Sequence, residues 1–181
     1  MNDYMVHPIG KVRTSEEGTL IELEKEYIPA LQGLEGFSHM NILWWFSYCD
    51  NEASRSFLPA GRPYKKGPAV MGTFATRSPE RPNPIALTTA GIISLDKDRG
   101  IIQVTYMDCH DNTPILDIKP YTPSFDRVEN PGVPSWCAHW PGSIEESALF
   151  EWENEFNVII FQCGWYRGII VYLALKERSC S

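Results

Sequence analysis

The chain is poor in the residues that would staple it, load it with metal or announce a nucleotide fold. Its five cysteines, Cys49, Cys109, Cys137, Cys163 and Cys180, are odd in number and form no Cys-X-X-Cys pair, which excludes a disulfide framework and a zinc knuckle and leaves reduced thiols. No Gly-X-Gly-X-X-Gly follows any strand-like run, so a Rossmann dehydrogenase or methyltransferase has no support. The first eighteen positions lack both a basic region and an apolar core, so no secretory signal is expected and the cytoplasm is the expected compartment. Positive charge is scarce: 16 Lys and Arg against 23 Asp and Glu give a net charge of −7. That balance disfavours nonspecific grip on nucleic acid, because phosphate binding depends on cationic side chains.

What is present suits one globular domain: 181 residues, 43% hydrophobic and 22% charged. One long apolar run, 158–175, approaches the length of a membrane span. Gln162, Gly164, Arg167 and Gly168 would then sit near mid-bilayer, at a high cost for the arginine, so the run is read as an extension packed on the domain or on a partner subunit, with no membrane involved. The expected boundaries are a barrel domain over 1–157 and this extension over 158–181.

Along the domain, β-rich runs alternate with turn residues. Strands are expected over 6–13 and 19–27, a short helical turn over 29–36, a fully buried strand over 37–48, a long polar loop over 50–68, and further strands over 69–76, 85–95, 101–107 and 115–118. The turn Asp96-Lys97-Asp98-Arg99-Gly100 joins two of them as a hairpin, with Gly100 free to take positive φ. Residues 143–156 read as the one helix: Ser143 caps it, Glu146 follows three later, and Ile144, Ala148, Leu149, Trp152 and Phe156 recur at helical spacing. The fold class is therefore mainly β, a single-sheet antiparallel β-barrel with one C-terminal helix and irregular loops.

Two stretches carry chemistry. In Arg77-Ser78-Pro79-Glu80-Arg81-Pro82-Asn83-Pro84, three prolines stiffen a loop that holds two guanidinium groups, an arrangement suited to anchoring a carboxylate or phosphate, or to pairing with neighbouring acids. In the polar turn Asp108-Cys109-His110-Asp111-Asn112-Thr113, Asp and Asn side chains can shape the backbone or accept hydrogen bonds from a ribose or an adenine amino group. Asp117 and Lys119 share one strand face and can pair. His39 can titrate near neutrality but sits among aromatics, as a structural histidine does. Cys137 and His139 lack further ligands nearby, so no metal is expected.

The blocks Leu34-Glu35-Gly36-Phe37-Ser38-His39, Gly72 to Pro79, Arg81-Pro82-Asn83-Pro84-Ile85 and Thr113 to Tyr121 resemble, in order, the signature blocks of the TsaA/YaeB-like family of S-adenosylmethionine-binding β-barrel proteins, over residues 6–157. The resemblance implies a homodimer that binds S-adenosylmethionine and transfers its methyl group to N6 of threonylcarbamoyl-adenosine at tRNA position 37. Ser47, Tyr48, Arg77, Leu87, Asp108, Cys109, His110, Asp111, Asn112 and Thr113 match its cofactor-binding positions; it assigns no catalytic base. The chain departs from the family in lacking a Pro-Arg-Gln element in a shorter segment 14–34, in Ala86 for a glycine, and in Asn112 for the glycine of an Asp-Gly-Thr-Pro turn. It is also too short for the C-terminal domain of the longer relatives. These departures, with the acidic balance, leave two alternatives: a methyltransferase with a non-tRNA acceptor, and a cofactor-binding module without turnover.

Overall fold

The computed structural model describes residues 4–16 and 18–157. They fall into two compact units. One comprises the chain up to Asp50 together with Asn83–Arg127, and the other comprises Asn51–Pro82 together with the described residues from Val128 onward. The extension expected at 158–181 lies outside the described residues.

The first unit is a closed antiparallel barrel of six strands: β1 Gly10–Ser15, β2 Gly18–Leu23, β3 His39–Trp45, β4 Ile85–Asp96, β5 Ile101–Val104 and β6 Pro114–Pro120. They close in the order β1-β2-β5-β4-β3-β6. Closure demands that one side chain in two point inward. Val12, Ile21, Met40, Ile42, Trp44, Ala86, Ala90, Ile102, Val104 and Ile115 fill that interior. β3 therefore alternates buried and half-buried residues along its length. The fully buried strand expected over 37–48 is corrected accordingly, because its outer face meets solvent.

β4 serves two neighbours: Ile85 to Gly91 pair with β3, and Ile92 to Asp96 pair with β5 across a register shift between Ile92 and Ser94. The β4–β5 turn is the expected hairpin, with Gly100 at φ 68°. β1 meets β6 through two residue pairs only, Gly10 with Ile115 and Lys11 with Pro114. The barrel's narrowest seam is there. The strand expected over 19–27 ends at Leu23, and a 3-10 helix follows at Lys25–Leu31, taking in part of the turn expected over 29–36. Lys119 Nζ donates to Asp117 Oδ2, which is the expected pair.

The second unit is irregular, with two short helices, α1 Glu52–Arg55 and α3 Ile144–Ser147; a third, α2 Pro123–Asp126, ends the first unit. The helix expected over 143–156 forms only its first turn. Its cap is as expected, Glu146 N–H donating to Ser143 Oγ at 3.1 Å. It then stops because Trp152 Nε1 donates back to the Ser147 carbonyl at 3.1 Å, and because Trp152 and Phe156 turn into an aromatic cluster with Trp140 and Tyr64. Leu149, counted on the apolar face, is 84% exposed. The run 69–76 is not a strand either: Ala60 N–H bonds to Met71 O, Met71 N–H to Gly61 O and Thr73 N–H to Leu58 O around a single bridge between Pro59 and Gly72, and a 3-10 turn at Thr73–Ala75 ends the pairing.

Candidate functional site

One rim of the barrel gathers most of the residues singled out in the sequence. β3 ends there and continues into a 3-10 turn, Ser47–Cys49. The turn is fixed by Phe46 N–H on Pro84 O at 2.8 Å and by Trp45 Nε1 on Asp50 Oδ2 at 3.0 Å, while Ser47 and Tyr48 are left exposed, Tyr48 by 62%. β6 begins at the same rim, preceded by the turn 108–113. The two segments meet: the rings of Tyr48 and His110 pack edge to face with centroids 4.8 Å apart. Leu87 lies on the outer face of β4, opposite Leu43, and is 49% exposed.

The turn 108–113 is stitched to β1. Asn112 N–H donates to Val12 O and Val12 N–H to Thr113 O, each at 2.9 Å. Thr14 N–H donates to Asp111 Oδ1 at 3.0 Å, and Arg13 Nη1 donates to Asn112 Oδ1 at 2.6 Å with Asp111 Oδ2 at 3.9 Å. Asn112 adopts φ 63°, the left-handed geometry that asparagine tolerates. Of the two sequence readings for Asp111 and Asn112, shaping the backbone is the one their hydrogen bonds describe. Thr113 is buried.

Asp108 and Cys109 are different. Both are partly buried. Burial pushes the Cys109 thiol up to about 12, with the Asp108 charge adding to the effect, so the thiol stays protonated at neutral pH and is no nucleophile. Burial also raises the Asp108 carboxyl above its usual range, against a lowering by the Tyr106 hydroxyl and the nearby His110. The Tyr106 hydroxyl donates to Asp108 Oδ1 at 3.5 Å. Sequence reasoning missed Tyr106, whose signal was its place two residues before Asp108, on the same side of an extended segment. It also missed Arg13, 99 positions from the asparagine it holds.

Arg77 belongs to the second unit and is exposed. Its loop is as stiff as the prolines imply, but Arg81 is part of the stiffening: Nε donates to Ser78 O at 2.7 Å and Nη2 to Thr76 O at 2.8 Å. Burial, then the charge of Arg77, lowers the Arg81 pKa. Arg55 Nη1 likewise donates to Pro82 O at 2.9 Å. Of the two arginines in that stretch, Arg81 is scaffold and Arg77 faces solvent.

His39 sits at the opposite end of β3, its Nδ1 2.9 Å from Ser38 Oγ and its ring edge-on to Tyr121. Cys137 Sγ donates to Pro134 O, and His139 Nε2 bonds Glu155 Oε1 at 2.8 Å. Among the described residues no group of three or more potential ligands could hold a metal, and no helix is long and apolar enough to cross a membrane. A separate apolar recess of about 360 Å³, between the Lys25–Leu31 helix and β6, is lined by none of the expected cofactor residues.

Residues 5–127 match the tRNA-methyltransferase O N-terminal domain. A probable S-adenosyl-L-methionine-binding protein of Methanocaldococcus jannaschii is 33% identical over 123 residues, 68% of this chain and 96% of that protein. The tRNA (adenine(37)-N6)-methyltransferase of Escherichia coli (strain K12) is 42% identical over 136 residues, 74% of this chain and 56% of that one. The crystal structure of TrmO from Pseudomonas aeruginosa superposes with a TM-score of 0.54 at 28% identity, covering 72% of this chain and 62% of the other. The chain thus spans a little over half of the bacterial enzymes it matches and nearly the whole of the shorter archaeal protein. With two thirds of its length matched and the barrel in common, this chain belongs to the tRNA-methyltransferase O N-terminal domain family.

Proposed function

We propose that the chain is an S-adenosylmethionine-dependent methyltransferase acting on N6 of adenosine 37 in tRNA, with the threonylcarbamoyl form of that base as acceptor. The observation that carries the reading is the barrel rim, where two segments sixty residues apart bring exposed aromatic rings and a partly buried acid together beside a rigid turn. These groups suit the cofactor. The rings of Tyr48 and His110 offer π-faces to a sulfonium, and Leu87 offers exposed apolar surface. Bound S-adenosylmethionine supplies an electrophilic methyl group. The chain's own contribution is alignment: a turn pinned to β1 and a 3-10 turn pinned to Pro84 hold their side chains without reorganisation, which favours reaction within one complex.

Ser47, Tyr48, Leu87 and residues 108–113 are the proposed cofactor contacts of the first unit, and Arg77 is included on the family resemblance alone. A homodimer completes the reading on the same ground, and the cytoplasm as its compartment rests on the unpaired cysteine pattern and the N-terminal composition. Calorimetry with S-adenosylmethionine on the wild type, Tyr48→Ala and Arg77→Ala tests the site, and methyl transfer to threonylcarbamoylated tRNA tests the activity. Binding weakened in both variants with turnover in the wild type supports the proposal, and a well-folded wild type that binds no cofactor overturns it.

A second reading, a cofactor-binding module without turnover, is favoured by one observation. The net charge is −7, and Arg55, Arg62, Lys65 and Arg81 each place at least one donor nitrogen on a backbone carbonyl of the second unit. Cofactor binding with no methyl transfer to any tRNA would establish it.

A further inference from the structure

We infer that the solvent side of the segment 70–74 is a stacking platform for an unpaired base of the tRNA loop, an assignment that rests on the tRNA substrate proposed above. Burial alternates along that segment. Met71 and Thr73 are buried, whereas Val70 and Phe74 are 69% and 83% exposed on either side of an exposed Gly72. Across the single bridge Gly72 faces Pro59, which is exposed as well. The backbone beneath is held. Thr73 Oγ1 donates to Phe57 O at 2.7 Å, Ala75 N–H to Gly72 O at 2.9 Å and Thr76 Oγ1 to Thr73 O at 2.8 Å, so the Phe74 ring is carried on a fixed turn.

Gly72 carries the inference. Its φ of −78° and ψ of 151° suit any residue, and a Cβ added to it would meet nothing within 4 Å. Neither backbone geometry nor packing calls for glycine there, and glycine in an extended segment costs stability. Gly132 is equally unconstrained, but no aromatic residue lies within three positions of it. The missing side chain at Gly72 keeps the space between Val70 and Phe74 clear, so that a planar ring can lie against bare backbone and reach the phenyl face. Single exposed apolar residues are ordinary; a pair flanking a glycine that the fold does not require is a surface kept open. Openness favours a base on a flexible strand over a small ligand, whose sites are concave. Charge agrees. Residues 51–82 hold six Lys and Arg against two Asp and Glu in a chain of net charge −7, so the platform lies in the part of the sequence that phosphates approach at least cost.

The test uses the full chain with Phe74→Ala, Phe74→Trp and Gly72→Leu. Four quantities are read: the thermal melt, S-adenosylmethionine affinity by calorimetry, the sedimentation coefficient, and affinity for threonylcarbamoylated tRNA across salt concentrations. Phe74→Ala and Gly72→Leu should each weaken tRNA binding at least about fivefold with the salt slope unchanged, and Phe74→Trp should bind at least as well as the wild type. Melts, cofactor affinity and sedimentation should stay at the wild-type values, for Gly72→Leu because the new side chain enters open space. Variants that bind tRNA as tightly as the wild type overturn the platform and leave the proposed function standing. A weakening accompanied by a smaller salt slope overturns it too, because phosphate contacts were then what was lost. Loss of cofactor affinity, or a shift in sedimentation, does the same by assigning the surface to the cofactor's adenine or to a second copy of the chain. A wild type that binds cofactor but no tRNA overturns both.

Discussion

At the scale of single residues, backbone geometry and buried charge make separable demands. Asn112 sits at φ 63° and its side chain holds Arg13. Asn112→Ala should lose the hydrogen bond and strain the backbone, whereas Asn112→Gly loses only the bond. Thermal melts should rank alanine below glycine by about 1 kcal/mol, and an alanine variant at least as stable as the glycine one would mean that left-handed geometry is not what the position selects. Glu155 is held below the usual carboxylate range, first by the His139 hydrogen bond, then by Trp140 and Lys66. A folded value below the unfolded one, about 4.3, makes its contribution complete above that value and lost as pH falls through the folded value. Glu155→Gln should therefore cost about 1.5–3 kcal/mol near neutrality and little in strong acid. Fluorescence-detected melts suit the measurement, because Trp140 and Trp152 lie in the affected cluster. An equal loss at both extremes would show that charge plays no part.

At the scale of elements, the period of two imposed by the barrel was readable in part. The β4–β5 hairpin and the pairing of Asp117 with Lys119 follow from residues close in the chain, whereas β3 was read as fully buried because its outward Leu43 and Trp45 are as apolar as its inward neighbours. The pattern misled where a local signal had a distant use. Residues 143–156 carry helical spacing, but Trp152 and Phe156 serve an aromatic cluster with Tyr64, about ninety positions earlier, and nothing local reveals that. The 69–76 run has strand composition, yet its pairing with the facing segment stops at one bridge, Pro59 with Gly72, before the 3-10 turn at Thr73–Ala75. For the proposed site, the turn 108–113 stands out as a polar break after an apolar run, Ser47 and Tyr48 follow from the family resemblance alone, and the contact of Tyr48 with His110 is a product of closure. Gly100 tests an element directly. It has φ 68°, and an added Cβ would lie 2.7 Å from Ile28 Cγ1. Gly100→Ala should destabilise the barrel by about 1–3 kcal/mol through strain and overpacking, read as a shifted denaturant midpoint. No shift would mean that the hairpin relaxes freely.

At the scale of the whole molecule, the net charge of −7 means that, under the proposed activity, affinity for tRNA comes from the modified nucleotide more than from phosphates. At physiological salt, unmodified tRNA should bind only in the nonspecific range of roughly 10⁻⁴–10⁻⁶ M, and threonylcarbamoylated tRNA at least about tenfold tighter. Equal affinities would show that the backbone carries recognition after all. The narrow β1–β6 seam bears on the same question. Only two residue pairs, Gly10 with Ile115 and Lys11 with Pro114, form its ladder, flanked by the backbone bonds of Ile9, Val12 and Asn112, and the turn 108–113 hangs from that short seam. Local opening should begin there, so the amide protons of Val12 and Asn112 should exchange with deuterium well before those of Ile42 and Leu43 in the continuous β3–β4 ladder. The proposed cofactor contacts thus hang from the shortest run of paired strand in the wall, and a ligand that touches both sides of it would add a clasp to a closure already made.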